Sequence, residues 1–323
     1  RGNQRTAGEE SRREGGKIFD AGSRNTVAVT FLIKSSDQTG PARIHYCDIG
    51  DYLSRDEKLA IVDQAAIASL GWEAVEPNEA GDWLNQRTDE FSSYTPIGDK
   101  EASGIFRLYT RGVATARDAW VYGFSESRVR DKVTRMVDFY NYEVDRLASE
   151  PGAALDSDPT KISWNHNDAL RISSGKRVSL VAGVMRTVNY RPFTRQHLWF
   201  DPALLDATYR VESILPNDNL KNRIISVVAP RTGVVPAVHA FPSLPDLSFF
   251  TNTAQNFARY TYEPADDGLL DFGEEVIDGY RRIDNITDAT LVEYREHYGD
   301  HVTKDDIFAF VYGLLHSPDY RSR

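Results

Sequence analysis

The sequence predicts an α+β protein: a mixed, irregular sheet region with amphipathic helices, plus one buried strand near the N-terminus. Three observations lead there. Val27 to Ile33 (VAVTFLI) is an unbroken β-branched and aromatic run behind the turn residues Gly22 and Ser23, the pattern of a strand buried on both faces of an α/β sheet. Val129, Val133, Met136, Val137, Tyr140, Val144 and Leu147 recur three and four residues apart after Ser125, one apolar stripe of a helix that stops before Pro151. Further on, Arg177 to Thr187, Ile224 to Val228 and Val234 to Ala240 are short β-branched runs separated by Asn, Pro and Gly, as in an irregular sheet.

Local signals mark the remaining elements. Ser54 and Glu57 form an S-x-x-E cap before Leu59, Ile61, Val62, Ala65, Ala66 and Leu70, and Gly71 supplies the stop, so a helix is predicted between them. Glu150 to Thr160, rich in Pro, Gly, Ala and Asp, reads as a linker or exposed loop. Two helices close the chain, starting at Thr287 and Thr303, the second with Asp306 as its capping partner.

Composition narrows the function. The chain has 323 residues, 41% of them hydrophobic, enough for a large core. No run approaches the roughly 18 apolar residues of a membrane span, so a soluble, cytoplasmic protein without a membrane partner is expected. Cys47 is the only cysteine, which excludes an internal disulfide and any cysteine-rich zinc site. His297 and His301 have helical metal-ligand spacing, but Gly299 lies between them and no third ligand is evident, so no metal is assigned. Gly175-Lys176 is followed by Arg177 and lacks the upstream glycine of a phosphate-binding loop. No cluster of carboxylates with a lysine suggests a magnesium nuclease. The chain begins at Arg1 in a polar, mixed-charge stretch, which reads as a piece of a longer polypeptide.

The net charge of -10 is unevenly distributed. Ala169 to Phe200 contains no acid, yet holds Arg171, Lys176, Arg177, Arg186, Arg191 and Arg195. Ala102 to Arg117 is also acid-free and carries Arg107, Arg111 and Arg117 among aromatics. The last sixty residues are dominated by acids. Such segregation allows one DNA-facing side on an acidic molecule. Within the first island, Asn189 to Phe193 (NYRPF) approximates the polar-Pro-Pro-aromatic loop of amino-methyltransferases, but Tyr190 and Arg191 stand where the first proline and its carbonyl belong. It is read as a decoy.

Five strings, Gly2 to Phe19, His45 to Leu59, Tyr109 to Ser125, Asn189 to Asp201 and Val311 to Arg321, together resemble the C-terminal specificity region of Type ISP restriction-modification enzymes. These are single polypeptides with nuclease, ATPase, adenine-methyltransferase and target-recognition parts. Pro242 to Phe249 (PSLPDLSF) fits the pattern only loosely. The resemblance implies that residues 1–46 are the tail of the methyltransferase core and a connection, so that the Val27 to Ile33 strand closes that core's sheet. Residues 47–150 would form a first, helical part of the specificity domain, and 151–323 a second part of short strands and C-terminal helices. No cofactor is then expected in this chain; S-adenosylmethionine, ATP and Mg would serve the parent polypeptide, upstream of Arg1.

The expected partners are double-stranded DNA and the preceding methyltransferase domain. A guanidinium bonds guanine O6 and N7 together, and a side-chain amide does the same for adenine, which makes Arg186, Arg191, Arg195 and Gln196 the base-reading candidates. Lys176 and Arg177 would hold phosphate, and Tyr190 would supply an aromatic contact. Arg111 and Arg117 either touch DNA or form, with Asp118 and Trp120, an internal salt-bridge cluster that docks the recognition domain onto the methyltransferase. The alternative function is a non-catalytic scaffold whose acidic C-terminal helices dock the other domains without reading DNA.

Overall fold

A computed structural model describes residues 3, 8–19, 25–34, 40–79, 81–84, 86, 93–99, 103–150, 152–165, 167–228, 237–250, 254–265 and 275–321. The chain divides into two units, Arg1–Tyr94 with Pro230–Val235, and Thr95–Ala229 with Pro236–Arg323.

The first unit contains α1 (Gly8–Glu14), β1 (Ile44–Tyr46), α2 (Arg55–Gln64) and β2 (Glu73–Val75), with β1 and β2 paired antiparallel. The start of α2 is the expected reciprocal cap: Ser54 Oγ accepts from the Glu57 amide at 3.3 Å, and Glu57 accepts from the Ser54 amide at 2.8 Å. The helix stops at Gln64 rather than at Leu70. Ser69 Oγ accepts from the Ala66 amide and donates to its carbonyl, and these local bonds hold Ile67–Ser69 in a single 3-10 turn in place of helix. Lys58, buried on α2, donates to the carbonyls of Glu14 and Gly16, placing a cation at the C-terminal end of α1 where the helix dipole favours it.

The strand expected at Val27 to Ile33 does not form within this chain. Residues 26–34 form no strand, and Leu32 and Ile33 are 91% and 86% exposed. β-propensity records a preference for a half-buried pleated surface, not the presence of a neighbour to supply it, and no described strand pairs with this run.

In chain order, the second unit contains β3 (Tyr109–Thr110), α3 (Asp118–Val121), β4 (Tyr122–Gly123), α4 (Glu126–Ser149), α5 (Asp168–Ser173), β5 (Val184–Arg191), β6 (Thr194–Phe200), α6 (Val211–Ile214), β7 (Ile224–Val228), β8 (Ala237–Phe241), β9 (Leu244–Pro245), β10 (Gln255–Ala258), β11 (Tyr260–Pro264), β12 (Val276–Ile277), β13 (Tyr280–Asp284), α7 (Asp288–Tyr298), α8 (Lys304–His316) and α9 (Pro318–Arg321). The strands make small open sheets ordered β3-β10-β7-β8, β4-β6-β5-β9 and β11-β13-β12. Among the described strands, the pairings are antiparallel except that of β5 with β9. The result is the mixed α+β class, with no closed barrel among the described residues.

The apolar stripe of α4 is buried as its periodicity predicts, with Val129, Val133, Met136, Val137, Tyr140 and Val144 packed against Leu198, Trp199 and Phe200 of β6. A second core joins Phe106, Ile225, Phe257 and Ile286 to Ile307, Phe308 and Val311 of α8. Thr287 and Thr303 cap α7 and α8 as expected, Thr303 reciprocally with Asp306. Strand β5 starts later than its β-branched pattern, at Val184, because Ser179 accepts from the Val181 amide and turns Leu180–Ala182 into 3-10 helix.

Near the C-terminal end of α4, Glu143 accepts two bonds from Arg146, each of 2.7 Å, and one from the Asp156 amide at 3.0 Å. The Arg146 bonds hold its carboxyl below the ordinary range despite burial. A depressed carboxylate stabilises the fold above its unfolded pKa of about 4.3 and loses that contribution as pH falls through the lower folded value. Glu143→Gln is therefore expected to lower stability at pH 7, and its deficit to wild type in urea unfolding should vanish progressively below about pH 4.

Candidate nucleic-acid interface

The two acid-free windows of the sequence meet in the fold, and the loosely patterned stretch Pro242 to Phe249 joins them. The Val113 amide donates to the Pro245 carbonyl at 2.9 Å, the Leu247 amide to the Val113 carbonyl at 2.8 Å, and the Asp246 amide to the Asn189 carbonyl at 3.1 Å. Gly112 permits this approach: a Cβ there would lie 2.4 Å from the Asp246 backbone. Asp246 is the hub. Its carboxylate accepts from Arg191 Nη1 at 2.7 Å, the Ser248 amide at 2.8 Å and the Tyr122 hydroxyl at 2.9 Å. Burial pushes the Asp246 carboxyl up, and it pushes the Tyr122 hydroxyl well up, reinforced by Asp246.

Around the hub, Asp118 accepts from Tyr190 Oη at 3.0 Å and from Thr115 Oγ1, and lies 3.7 Å from Arg191 Nη2. The Arg191 guanidinium stacks 3.9 Å over the ring of Tyr190, a ring that packs against Tyr122 at 4.8 Å. Tyr190 and Arg191 therefore fasten the end of the β5–β6 hairpin to the 111–118 segment.

Two predicted DNA contacts are corrected. Arg117 is fully buried, packed near Met136 and paired with Asp168 rather than with the Asp118 of the expected cluster. Arg186 is buried too, donating to Asp218 at 2.7 Å and to the carbonyls of Pro216 and Leu215 at 2.8 and 2.7 Å. A guanidinium enclosed in the protein interior does not reach a base edge. The two windows are acid-free in sequence but not in space: Asp145 pairs with Arg177, Asp168 with Arg117, Asp218 with Arg186 and Asp246 with Arg191.

The remaining candidates face solvent. Lys176 and Arg177 are exposed on the loop after α5. Arg111 lies 5.4 Å over the ring of Tyr209. Arg195 is exposed and has no ion-pair partner among the described residues, while the neighbouring Gln196 is half-buried on the opposite face of β6. The sequence reading passed over further cations on α4. Arg128, Arg130 and Arg135 are exposed, and Arg130 sits 5.0 Å over Trp199 of β6. Their signal was available, since Arg128 and Arg135 are seven residues apart on the side opposite the apolar stripe. Phe124 and Phe193, both strongly exposed beside this sheet, had no such signal.

Among the described residues, no three His, Cys, Asp or Glu side chains gather to hold a metal ion, and no helix is long and apolar enough to cross a membrane.

The second unit is a mixed α+β body whose β5–β6 hairpin presents Phe193 and Arg195 to solvent. A family model described as the Type ISP C-terminal specificity domain matches residues 104–323, and the chain belongs to that family. Among solved structures, a nuclease-deletion mutant of the Type ISP restriction-modification enzyme LlaGI, in complex with a DNA substrate mimic, is 35% identical, with a TM-score of 0.69 over 100% of this chain and 28% of its own. The ATP-dependent Type ISP restriction-modification enzyme LlaBIII, bound to DNA, is 28% identical, with a TM-score of 0.71 over 99% of this chain and 20% of its own. A DrdV–DNA complex is 26% identical, with a TM-score of 0.73 over 99% and 31%. The chain thus spans between a fifth and a third of the length of these relatives. No curated protein matches it.

Proposed function

We propose that this chain reads a specific double-stranded DNA sequence for a single-polypeptide restriction-modification enzyme that methylates adenine and cleaves unmethylated DNA. The observation that carries the reading is membership of the specificity-domain family together with likeness, over nearly the whole chain, to three proteins in complex with DNA. S-adenosylmethionine, ATP and Mg would serve other parts of the parent polypeptide. Residues 1–46 would belong to the methyltransferase side, and the exposed apolar run Val27 to Ile33 suits a strand completed by that domain's sheet. The specificity domain proper would divide into 47–150 and 151–323.

In this reading Arg195 and Gln196 read bases, Lys176, Arg177 and Arg111 hold phosphate, and Tyr190 and Arg191 set the position of the hairpin. A phosphate contact and a base contact leave different signatures. In the full-length polypeptide, Lys176→Ala is expected to weaken binding uniformly across duplexes and to reduce the slope of log affinity against log salt by about one. Arg195→Ala is expected to cost about 1–3 kcal/mol on the target site and to relax preference at one base pair. Titrations on target and scrambled duplexes at two salt concentrations check both. The internal neutralisation of so many arginines favours a scaffold as the second reading, and absence of wild-type binding in either buffer would establish it.

A further inference from the structure

Phe193 stands at the turn between β5 and β6 with a φ of 63° and is 94% exposed. Left-handed backbone is costly for a bulky residue, and glycine or asparagine is the usual occupant of such turns. An exposed ring returns no burial to offset the cost, so the fold alone does not account for phenylalanine here. The ring is nevertheless braced. It meets His239 of β8 edge-on at 5.5 Å, His239 stacks on Phe249 at 5.7 Å and 14°, and Phe249 packs on the core residue Phe241 at 4.8 Å. A continuous series of rings therefore runs from the interior to a protruding tip, and Arg195, exposed and without an ion-pair partner among the described residues, follows two positions later.

We propose that Phe193 is a stacking wedge: the β5–β6 hairpin enters a groove of the bound duplex and the braced ring packs into one base step. The inference rests on the DNA-reading function and adds the residue that would distort or sense the stack. A two-stranded ribbon fits the major groove, apolar wedges unstack base steps in other DNA-binding proteins, and a base stacked on an aromatic side chain contributes affinity without charge. The absence of charge separates this role from that of the arginines, because removing the ring should weaken binding equally at every salt concentration.

The test uses the full-length polypeptide and duplexes containing the site mapped by comparing adenine methylation in cells with and without the gene, with 2-aminopurine placed at successive positions. Phe193→Gly, which relieves the backbone, is expected to leave Tm unchanged or raised. It should weaken duplex binding about tenfold, the scale of one lost base–aromatic stack, with an unaltered salt slope, and abolish the fluorescence change at one position. Phe193→Trp should keep both affinity and signal. Wild-type affinity in Phe193→Gly would overturn the proposal, as would a fall in Tm of several degrees, which makes the ring structural. Loss of methylation with unchanged duplex affinity would assign the ring to a protein contact and also overturn it. If wild type binds no duplex at all, the DNA-reading function itself fails.

Discussion

Replacing Arg117 by alanine is expected to destabilise the protein by about 3–5 kcal/mol, the cost of leaving a buried charge without its partner. The guanidinium has no exposure, Asp168 is almost as deeply buried, and Asp168 also accepts from the Asn165 amide. Burial lowers the Arg117 pKa against the opposing pull of Asp168, so each charge depends on the other. For a unit of this size the loss corresponds to a drop in Tm on the order of 10 °C. Arg117→Met combined with Asp168→Asn, which removes both charges and keeps the volume, should recover most of it. Urea unfolding of the single and double variants gives the coupling directly, and a single-variant loss under 1 kcal/mol would show that the pair does not hold the core. Because Arg117 reaches no solvent, the folded fraction should bind duplex DNA as wild type does.

Asp246→Ala is expected to combine a stability loss with a binding loss. It leaves the buried Tyr122 hydroxyl and the Ser248 amide without their acceptor and removes the nearer of the two carboxylates at Arg191. An orphaned buried donor costs about 1–3 kcal/mol and a bond to a charged group about 1.5–3, so a total near 3–4 kcal/mol is expected. The same change unfastens the hairpin that carries Phe193 and Arg195, and a tenfold or greater loss of affinity should follow at concentrations where the protein is still folded. The raised pKa of Asp246 adds a pH signature. A carboxyl whose folded pKa lies above its unfolded value stabilises the fold most when protonated, below about pH 4, and that contribution is lost as pH rises through the folded value. The stability advantage of wild type over Asp246→Asn should therefore shrink with rising pH. An advantage that grows with pH would mean that the Arg191 pair outweighs the burial of the charge.

Contrasting Arg117 with Asp246 separates fold from function. Both variants unfold more easily, but only the second should change DNA affinity in the native state. Equal binding losses in the two would remove the distinction drawn here between an internal ion pair and a hairpin anchor.

The sequence by itself determined what depends on neighbours a few residues away. The caps at Ser54, Thr287 and Thr303, the stripe of α4, the strand at Ile224–Val228 and the family resemblance were all legible, because capping bonds and helical periodicity close within one or two turns. Only the tertiary structure decided which arginines reach solvent. Arg117 is 51 residues from Asp168, and Arg191 is 55 from Asp246, so an acid-free window says nothing about the acids that other segments bring to it. The same limit explains the apolar run at Val27 to Ile33, whose composition expresses a preference for a sheet but leaves the partner strand unspecified. Long-range pairing is set by which surfaces fit once packed, and that fit is written across distant segments rather than within any one of them.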